Sequence, residues 1–314
     1  MTPSTGVSSP GDDRRTVPGL TTVVLCTRDR ASLLEDALTH LAAAAGGAEV
    51  LVVDSGSIDD TTRQVAEQAG VDYVRSDVPG LSIARNLGLE HARGEFIVYT
   101  DDDCAVDPGF LAPLVAPFGI ATVGASTGRL VDVSHPPAAT KEPAQVLSRT
   151  TAGLDAGHGA LMAFRTSILR SLGGFDPVLG AGRRFGGAED MDAMSRVLHA
   201  GHSVVRVPGA VVTHLFTRDD SEYERLNENY GLGIGAMCGK WLRTSSADGR
   251  RLSALVLRRA VVRYARRFRR ARTRRGQAAY LRGFFRGLRE ARSIPVRDGL
   301  FVDTAPPSPV AVAR

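Results

Sequence analysis

Lysine is nearly missing from this chain: of its 39 basic side chains only Lys141 and Lys240 are lysines, and the rest are arginines. An arginine preference that general is as much a coding habit as a chemical choice, so an arginine alone does not argue for a phosphate. Cysteine is scarce too. Cys26, Cys104 and Cys238 lie far apart and form no CxxC pair, which excludes a disulfide framework and a structural zinc site and fits a reducing cytoplasm. No stretch approaches the roughly 18 consecutive apolar residues of a membrane span. The first 19 residues carry Ser, Pro, Thr and Gly without an apolar signal core, and read as a disordered lead-in. Neither GxGxxG nor GxxxxGK[ST] follows any strand-like run, which argues against a dinucleotide fold or a P-loop.

Charge is present but unevenly placed. Between Gly249 and Ser293 sixteen arginines face a single acid, Glu290, so this segment carries +15 and leaves −10 for the remainder of a chain of net +5. At 314 residues, 43% hydrophobic and 23% charged, the chain is long enough for an ample core in one large domain or two small ones.

Strand-like and helix-like runs alternate from Thr21 to Asp103. Thr21 to Cys26 is β-branched and apolar, Glu49 to Val53 and Val71 to Val74 repeat the pattern, and Glu95 to Thr100 is the fourth run. Between them Leu33, Leu34, Ala37, Leu38 and Leu41 recur at helical spacing, with Ser32 and Glu35 spaced as a capping box. Leu81 to Ala92 is a further helix that Gly94 stops. Such alternation predicts a parallel sheet with right-handed crossovers. Three strand ends carry acids: Asp29, Asp54 and the triplet Asp101-Asp102-Asp103. Adjacent carboxylates repel one another, and hard oxygen ligands at the carboxyl edge of an open sheet suit Mg²⁺ or Mn²⁺ beside a phosphate. An isolated Asp triplet would read as a solvated turn; the neighbouring acids argue for a metal–nucleotide crevice.

Beyond Asp103 the pattern predicts a short helix around Phe110 to Val115, a strand over Ala121 to Leu130 and a mobile, proline-punctuated loop over 132–152. An apolar segment then runs to Phe164, followed by helices over Thr166 to Leu172 and Glu189 to Ala200. Two strands, Ser203 to Val207 and Ala210 to Thr213, lead to His214. From Ser221 the chain turns helical and basic. The expected division is a disordered 1–19, a domain over 20–218 split near 104 into two halves, a helical Arg-rich extension over 219–295, and a disordered tail over 296–314.

Six motifs in order carry a resemblance: Val23-Val24-Leu25-Cys26-Thr27-Arg28-Asp29-Arg30; Val52-Val53-Asp54-Ser55-Gly56-Ser57; Leu81-Ser82-Ile83-Ala84-Arg85-Asn86; the Asp101 to Asp103 triplet; Gly173-Gly174-Phe175-Asp176; and Glu189-Asp190. From Thr21 to about His214 the chain resembles the family 2 glycosyltransferases of the GT-A fold. The resemblance implies an α/β fold with a mixed, mainly parallel nucleotide-binding sheet flanked by helices, here followed by a basic helical extension. It implies metal-dependent transfer of a sugar from a nucleotide-diphospho-sugar to a hydroxyl acceptor, with inversion. The acceptor stays open between a polysaccharide, a lipid-linked saccharide and a natural product.

By the same resemblance Asp54 contacts the nucleotide base, Thr27 lies beside the nucleotide, and Arg85 is the basic residue near the donor. Asp101 and Asp102 meet the donor's ribose and sugar, Asp103 is the direct metal ligand, and His214 is a further metal or phosphate contact. Asp190 corresponds to the catalytic base, with Glu189 beside it. Arg28 stands where the family commonly stacks an aromatic ring on the base, and arginine also stacks, which leaves uracil, thymine and guanine open. Ser55 replaces the second acid of the common Asp-Asp-Gly-Ser motif.

The chemistry can be argued independently of the family. A leaving diphosphate gathers charge that a divalent ion stabilises, and an acceptor hydroxyl must give its proton to a base on the other face of the sugar. The helix start is expected to hold Asp190 ionised, with Glu189 opposing by like charge. His158 and Gly187, the latter closing the glycine-rich approach from Gly180, are acceptor-side candidates. For the arginine-rich segment the expectations are packing on the acidic domain or contact of residues 249–293 with an anionic membrane at the cytoplasmic inner face; nucleic acid is not expected. The rival readings are a nucleotidyltransferase, for which Thr27 to Arg30 lacks a phosphate loop, and a non-catalytic binding or scaffold protein, against which Asp103 and Asp190 argue.

Overall fold

The computed structural model describes residues 20–133, 142–215, 223–266 and 268–312. The lead-in expected over 1–19 and the middle of the loop expected over 132–152 lie outside these residues. The first half alternates strictly: β1 (Thr21–Thr27), α1 (Ala31–Ala44), β2 (Glu49–Asp54), α2 (Thr61–Gln68), β3 (Asp72–Arg75), α3 (Leu81–His91) and β4 (Phe96–Asp101). β1 lies between β2 and β4 and is parallel to both, with β3 outside β2. The chain therefore winds outward from β1 to β3 and returns to place β4 on the other side. The carboxyl ends of β1 and β4 form the switch point at which open α/β sheets bind ligands.

Side-chain alternation along β1 shows why the strand is apolar throughout. Val23 and Leu25 pack under Leu34, Leu38 and Leu41 of α1, while Val24 faces Ala84 and Leu89 of α3 on the opposite layer. Strands covered on both faces have no polar side to show. Gly88 lets α3 settle close to the sheet, since a Cβ there would press on Val24 Cγ1 at 2.7 Å. The capping box does not form: α1 begins one residue before Ser32, with Arg30 in the cap position and no side-chain cap.

The second half adds β5 (Cys104–Val106), α4 (Leu111–Val115), β6 (Val123–Asp132), β7 (Gln145–Leu147), β8 (Leu161–Arg165), α5 (Thr166–Ser171), α6 (Glu189–His199) and β9 (Ser203–His214). β8 enters antiparallel between β4 and β6, and β9 carries the sheet on to β5, making it mixed. The two strands expected over 203–213 are one. β9 stays extended through Pro208 and Gly209, and its extra residues are absorbed where Thr127 pairs with Arg206 but Arg129 with Val211. The described part of the expected 132–152 loop is also more ordered than its composition suggests, because Gln145–Leu147 pairs with β9.

The basic extension folds as α7 (Tyr223–Thr244), α8 (Ser246–Arg266) and α9 (Ala271–Glu290). α7 and α9 meet backbone to backbone. A Cβ on Gly231 or Gly235 would overlap the carbonyls of Tyr280 and Phe284, and one on Gly283 or Gly287 those of Glu228 and Leu232. Val178 and Phe185 of the sheet domain share a core with Trp241, Leu252 and Phe284 of the extension, so the extension is packed on the sheet domain. The tail expected to be disordered over 296–314 is in its described part a hairpin, β10 (Val296–Arg297) with β11 (Leu300–Phe301). Phe301 is buried and its amide donates to Asp176 Oδ2 at 2.9 Å. Further along, the Val310 amide donates to the Asp77 carbonyl at 2.8 Å.

Candidate active site

Register brings the strand-end acids together. Thr27 is the partner of Asp54 across β1 and β2, and Cys26 that of Asp101 across β1 and β4. The Thr27 hydroxyl donates to Asp102 Oδ2 at 2.7 Å. On the far side Cys104 pairs with His214 across β5 and β9, which sets His214 Nε2 3.5 Å from Asp103 Oδ2. Asp101 and Asp103 face one cleft, with oxygens within 4.8 Å of each other and of Cys104 Sγ. Burial pushes the Cys104 thiol up, and a soft sulfur suits a hard ion less well than the carboxylates beside it. Burial also raises the Asp102 carboxyl above its ordinary range, with the Thr27 hydroxyl and Arg30 pulling the other way. Two clustered carboxylate oxygens with an imidazole at the rim suit an oxygen-seeking divalent ion such as Mg²⁺ or Mn²⁺.

The second acidic group stands at the head of α6. Ala188 precedes it in a left-handed conformation, φ 69°, a cost of roughly 1–2 kcal/mol for a residue with a Cβ. That turn aims Glu189 and Asp190 into the cleft. Arg85, only 2% exposed, joins the two groups: Nη1 is 2.8 Å from Glu189 Oε1 and Nη2 3.5 Å from Asp101 Oδ1. Nη2 also donates to the Gly159 carbonyl at 3.3 Å, and the guanidinium stacks over Phe175. The Met191 amide donates to Asp190 Oδ1 at 2.7 Å. The pull of the helix start expected on Asp190, against the like charge of Glu189, is outweighed by burial. Loss of solvent raises its carboxyl, against the pull of Arg85 and of the backbone donors at the helix start. Glu189 is raised likewise, by burial first and by Asp190 second.

Three expected residues sit differently. Asp54 is fully buried, and its carboxylate accepts from the Ser57 amide at 2.7 Å, the Tyr73 hydroxyl at 2.8 Å and Arg75 Nη1 at 3.1 Å. In this arrangement it holds the loop after β2 and offers no free oxygen to a base. Arg28 is exposed and pairs with Asp29, 3.3 Å away. Asp29 turns its carboxylate to the Ile58 amide at 2.7 Å instead of joining the triplet. On the acceptor side His158 and Asp190 line one narrow crevice with Thr127, Met162 and Met191. Gly187 lies between Asp190 and α7, against Tyr230 and Gly233.

Sequence reasoning missed a second layer. Lys240 of α7 is buried, with Nζ 2.6 Å from Asp176 Oδ2 and 2.8 Å from Asp192 Oδ2. Trp241 Nε1 donates to Asp192 Oδ1 at 3.1 Å and Arg196 Nε to Asp192 Oδ2 at 2.8 Å. These cations hold the Asp192 carboxyl below its ordinary range despite burial. Asp192 is two residues from Asp190, so the extension grips the helix that presents the base candidate. One signal was available: a lysine kept in an arginine-rich chain marks a place for a compact cation. Arg30 was overlooked too; its Nη1 lies 3.1 Å from Asp102 Oδ1 and 3.4 Å from Asp103 Oδ2.

Comparison with known proteins agrees with this geometry. Residues 22–156 match the family model described as Glycosyl transferase family 2. A pre-mycofactocin glycosyltransferase of Mycobacterium tuberculosis is 29% identical over 213 residues, 62% of this chain. The match spans only 42% of that relative's length. Among solved structures, a mannosyltransferase of Pyrobaculum calidifontis in complex with GDP-Man and Mn²⁺ superposes with a TM-score of 0.60 at 19% identity, covering 86% of this chain and 87% of the other. GalNAc-T7 with UDP, GalNAc and Mn²⁺ superposes at 0.52 and 19% identity over 68% of this chain and 47% of its own. At such identities the likeness establishes the fold, which is GT-A.

Proposed function

Residues 22–156 belong to the family 2 glycosyltransferases, and from that premise we propose that the chain transfers a sugar from a nucleotide-diphospho-sugar to an acceptor hydroxyl, with inversion at the anomeric carbon. The observation that carries the reading is Arg85, whose guanidinium ties Asp101 to Glu189. It brings an acidic edge fit for metal and donor to within one side chain of an acidic helix head fit for a base.

The residues divide the work. Asp103, with Asp101 and His214 beside it, would hold Mg²⁺ or Mn²⁺. A divalent ion held there supplies Lewis-acid stabilisation to the departing diphosphate. Asp101 and Asp102, the latter fixed by Thr27, face the donor. Asp190 accepts the proton of the acceptor hydroxyl as its oxygen bonds to the anomeric carbon, and the bond from that carbon to the phosphate oxygen breaks with its electron pair leaving on the nucleoside diphosphate. A carboxyl raised by its surroundings is a stronger base once ionised, as proton abstraction needs. Glu189 holds Arg85, and Arg85 in turn limits how far Asp190 is raised. His158 lines the narrow space beside Asp190 and Gly187 lies against Tyr230; both are assigned to the acceptor side. Replacing Asp190 by Asn tests the assignment: transfer should collapse while nucleotide binding persists.

No described helix is long and apolar enough to cross a membrane. The extension packs on the sheet domain, and contact with an anionic membrane face is proposed for the outer side of 249–293 alone. The corner where α8 leads to α9 exposes Val261, Val262 and Phe268 among Arg258, Arg266, Arg269 and Arg270, a mixture suited to the headgroup region. Sedimentation with vesicles containing anionic lipid tests it. Replacing Phe268 by Ser together with Arg269 and Arg270 by Gln should release the full chain; retention would leave packing on the sheet domain as the extension's role.

A further inference from the structure

The oxygen best placed to hold a metal is already approached by a cation from the protein. Arg30 Nη1 lies 3.4 Å from Asp103 Oδ2, the same oxygen that His214 Nε2 approaches at 3.5 Å. Arg30 Nη1 also donates to Asp102 Oδ1 at 3.1 Å. Unlike Arg85, which is buried and held by Glu189, Gly159 and Phe175, Arg30 reaches the site from its rim, with its side chain 48% exposed. It sits in the cap position of α1, outside the helix proper, with φ −139° and ψ 43°. A long side chain rooted there can leave the aspartates without unwinding α1 or unpacking the core.

Two cations at one carboxylate oxygen repel strongly in a partly desolvated cleft. Arg30 and a divalent ion therefore compete for Asp103. The donor supplies what resolves that competition, because its diphosphate is the one strongly anionic group brought to this edge, and a guanidinium binds phosphate oxygens in bidentate fashion. On the reading that the site takes a metal and a nucleotide-diphospho-sugar, we infer that Arg30 is a hand-over residue. It neutralises Asp102 and Asp103 in the free chain, and moves to the diphosphate when metal and donor enter together. The pairing sets an order on the site: metal alone is held weakly, and metal with nucleoside diphosphate is held well. Coupling of this kind is reciprocal and commonly amounts to about 5–150-fold.

Binding of Mn²⁺ to the full chain, followed by the electron paramagnetic resonance of the free ion, tests this without turnover. Arg30→Gln removes the competing charge and Arg30→Lys keeps it; thermal melting checks that each variant is folded. Without nucleotide, Arg30→Gln should bind Mn²⁺ at least about fivefold more tightly than the natural chain, and Arg30→Lys about equally. With Mn²⁺ present, Arg30→Gln should bind the better of UDP and GDP at least about fivefold more weakly. If Arg30→Gln leaves the affinity for Mn²⁺ alone unchanged or lowers it, the hand-over is wrong and Arg30 merely orders the aspartates. That outcome would leave metal-dependent transfer standing. If no form binds Mn²⁺ with or without nucleotide, both readings fall together.

Discussion

Lys240 Nζ lies 2.8 Å from Asp192 Oδ2, and this pair fastens the C-terminal helices to the helix that begins with Glu189 and Asp190. Because Asp176 and Asp192 are both fully buried, removing the ammonium would leave, among the described residues, Asp176 without a cation and Asp192 with Arg196 alone. Breaking a buried pair by deleting one partner costs about 3–5 kcal/mol, far more than the pair itself contributes. Lys240→Met is accordingly expected to lower stability by about that amount, read by denaturant unfolding. Rates should fall in the fraction that remains folded, since α6 loses its anchor. An unchanged unfolding midpoint would refute the role given to this network.

The glycines of α7 and α9 set two effects against each other. Gly235→Ala would gain about 1 kcal/mol of helix propensity. Its new methyl group would overlap the Phe284 carbonyl, and overpacking that cannot relax costs about 1–3 kcal/mol. Backbone cannot yield as a side-chain tip can, so a net loss of stability is expected. Differential scanning calorimetry checks the sign, and a gain would mean that the two helices can separate at little cost.

The pH response follows from the shifted carboxyls. Asp102 and Glu189 are raised in the folded chain, so the native state binds more protons than the unfolded one above the ordinary carboxylate range. Their contribution is fully present below that range and is lost as pH rises through the folded values. Asp192 is lowered and acts in the opposite sense, its contribution present above the ordinary value and lost as pH falls through the depressed one. Asp101, beside the proposed metal position, is raised too, by burial first, and a divalent ion binds it well only when it is ionised. Melting curves should therefore show a larger Mn²⁺-induced rise in Tm at about pH 7.5 than at about pH 5. Equal rises at both would place the ion elsewhere.

Asp190 is raised by its surroundings and lowered by Arg85. The acid limb of the kcat profile should then lie above the ordinary carboxylate range. Arg85→Gln, where it folds, should displace that limb further toward alkaline pH. Movement toward acid pH would mean that another group is the base.

Much of this site could be read from the sequence because strands buried on both faces are uniformly apolar, so the acids at Asp54 and Asp101 to Asp103 stand out as interruptions. The match of β1 to β4 with the expected alternation has the same origin. What stayed hidden depends on partners distant in sequence. The resemblance implies His214 as a metal or phosphate contact, but the reason it meets Asp103, the register of β5 on β9 across more than a hundred positions, is not in any local pattern. Tyr73 and Arg75, which donate to the Asp54 carboxylate, come from β3, a strand away across the sheet. The end of the chain, expected to be disordered over 296–314, has Phe301 held by Asp176, a contact that no local pattern announces. Arg30 belongs to the same class, a rim arginine whose importance appears only when its distance to Asp103 is known.

The most direct test of the central claim is initial-rate turnover of UDP-, dTDP- and GDP-sugars by the full chain with Mn²⁺ and with chelator, beside Asp103→Ala and Asp190→Asn. The account predicts that at least one donor is turned over with Mn²⁺ and not with chelator. Asp103→Ala should abolish that metal dependence, and Asp190→Asn should reduce kcat by about 10²–10⁴-fold while still binding nucleotide. If no donor binds or turns over in the presence of metal, the chain is not the glycosyltransferase described; if Asp190→Asn transfers at full rate, the proton goes elsewhere.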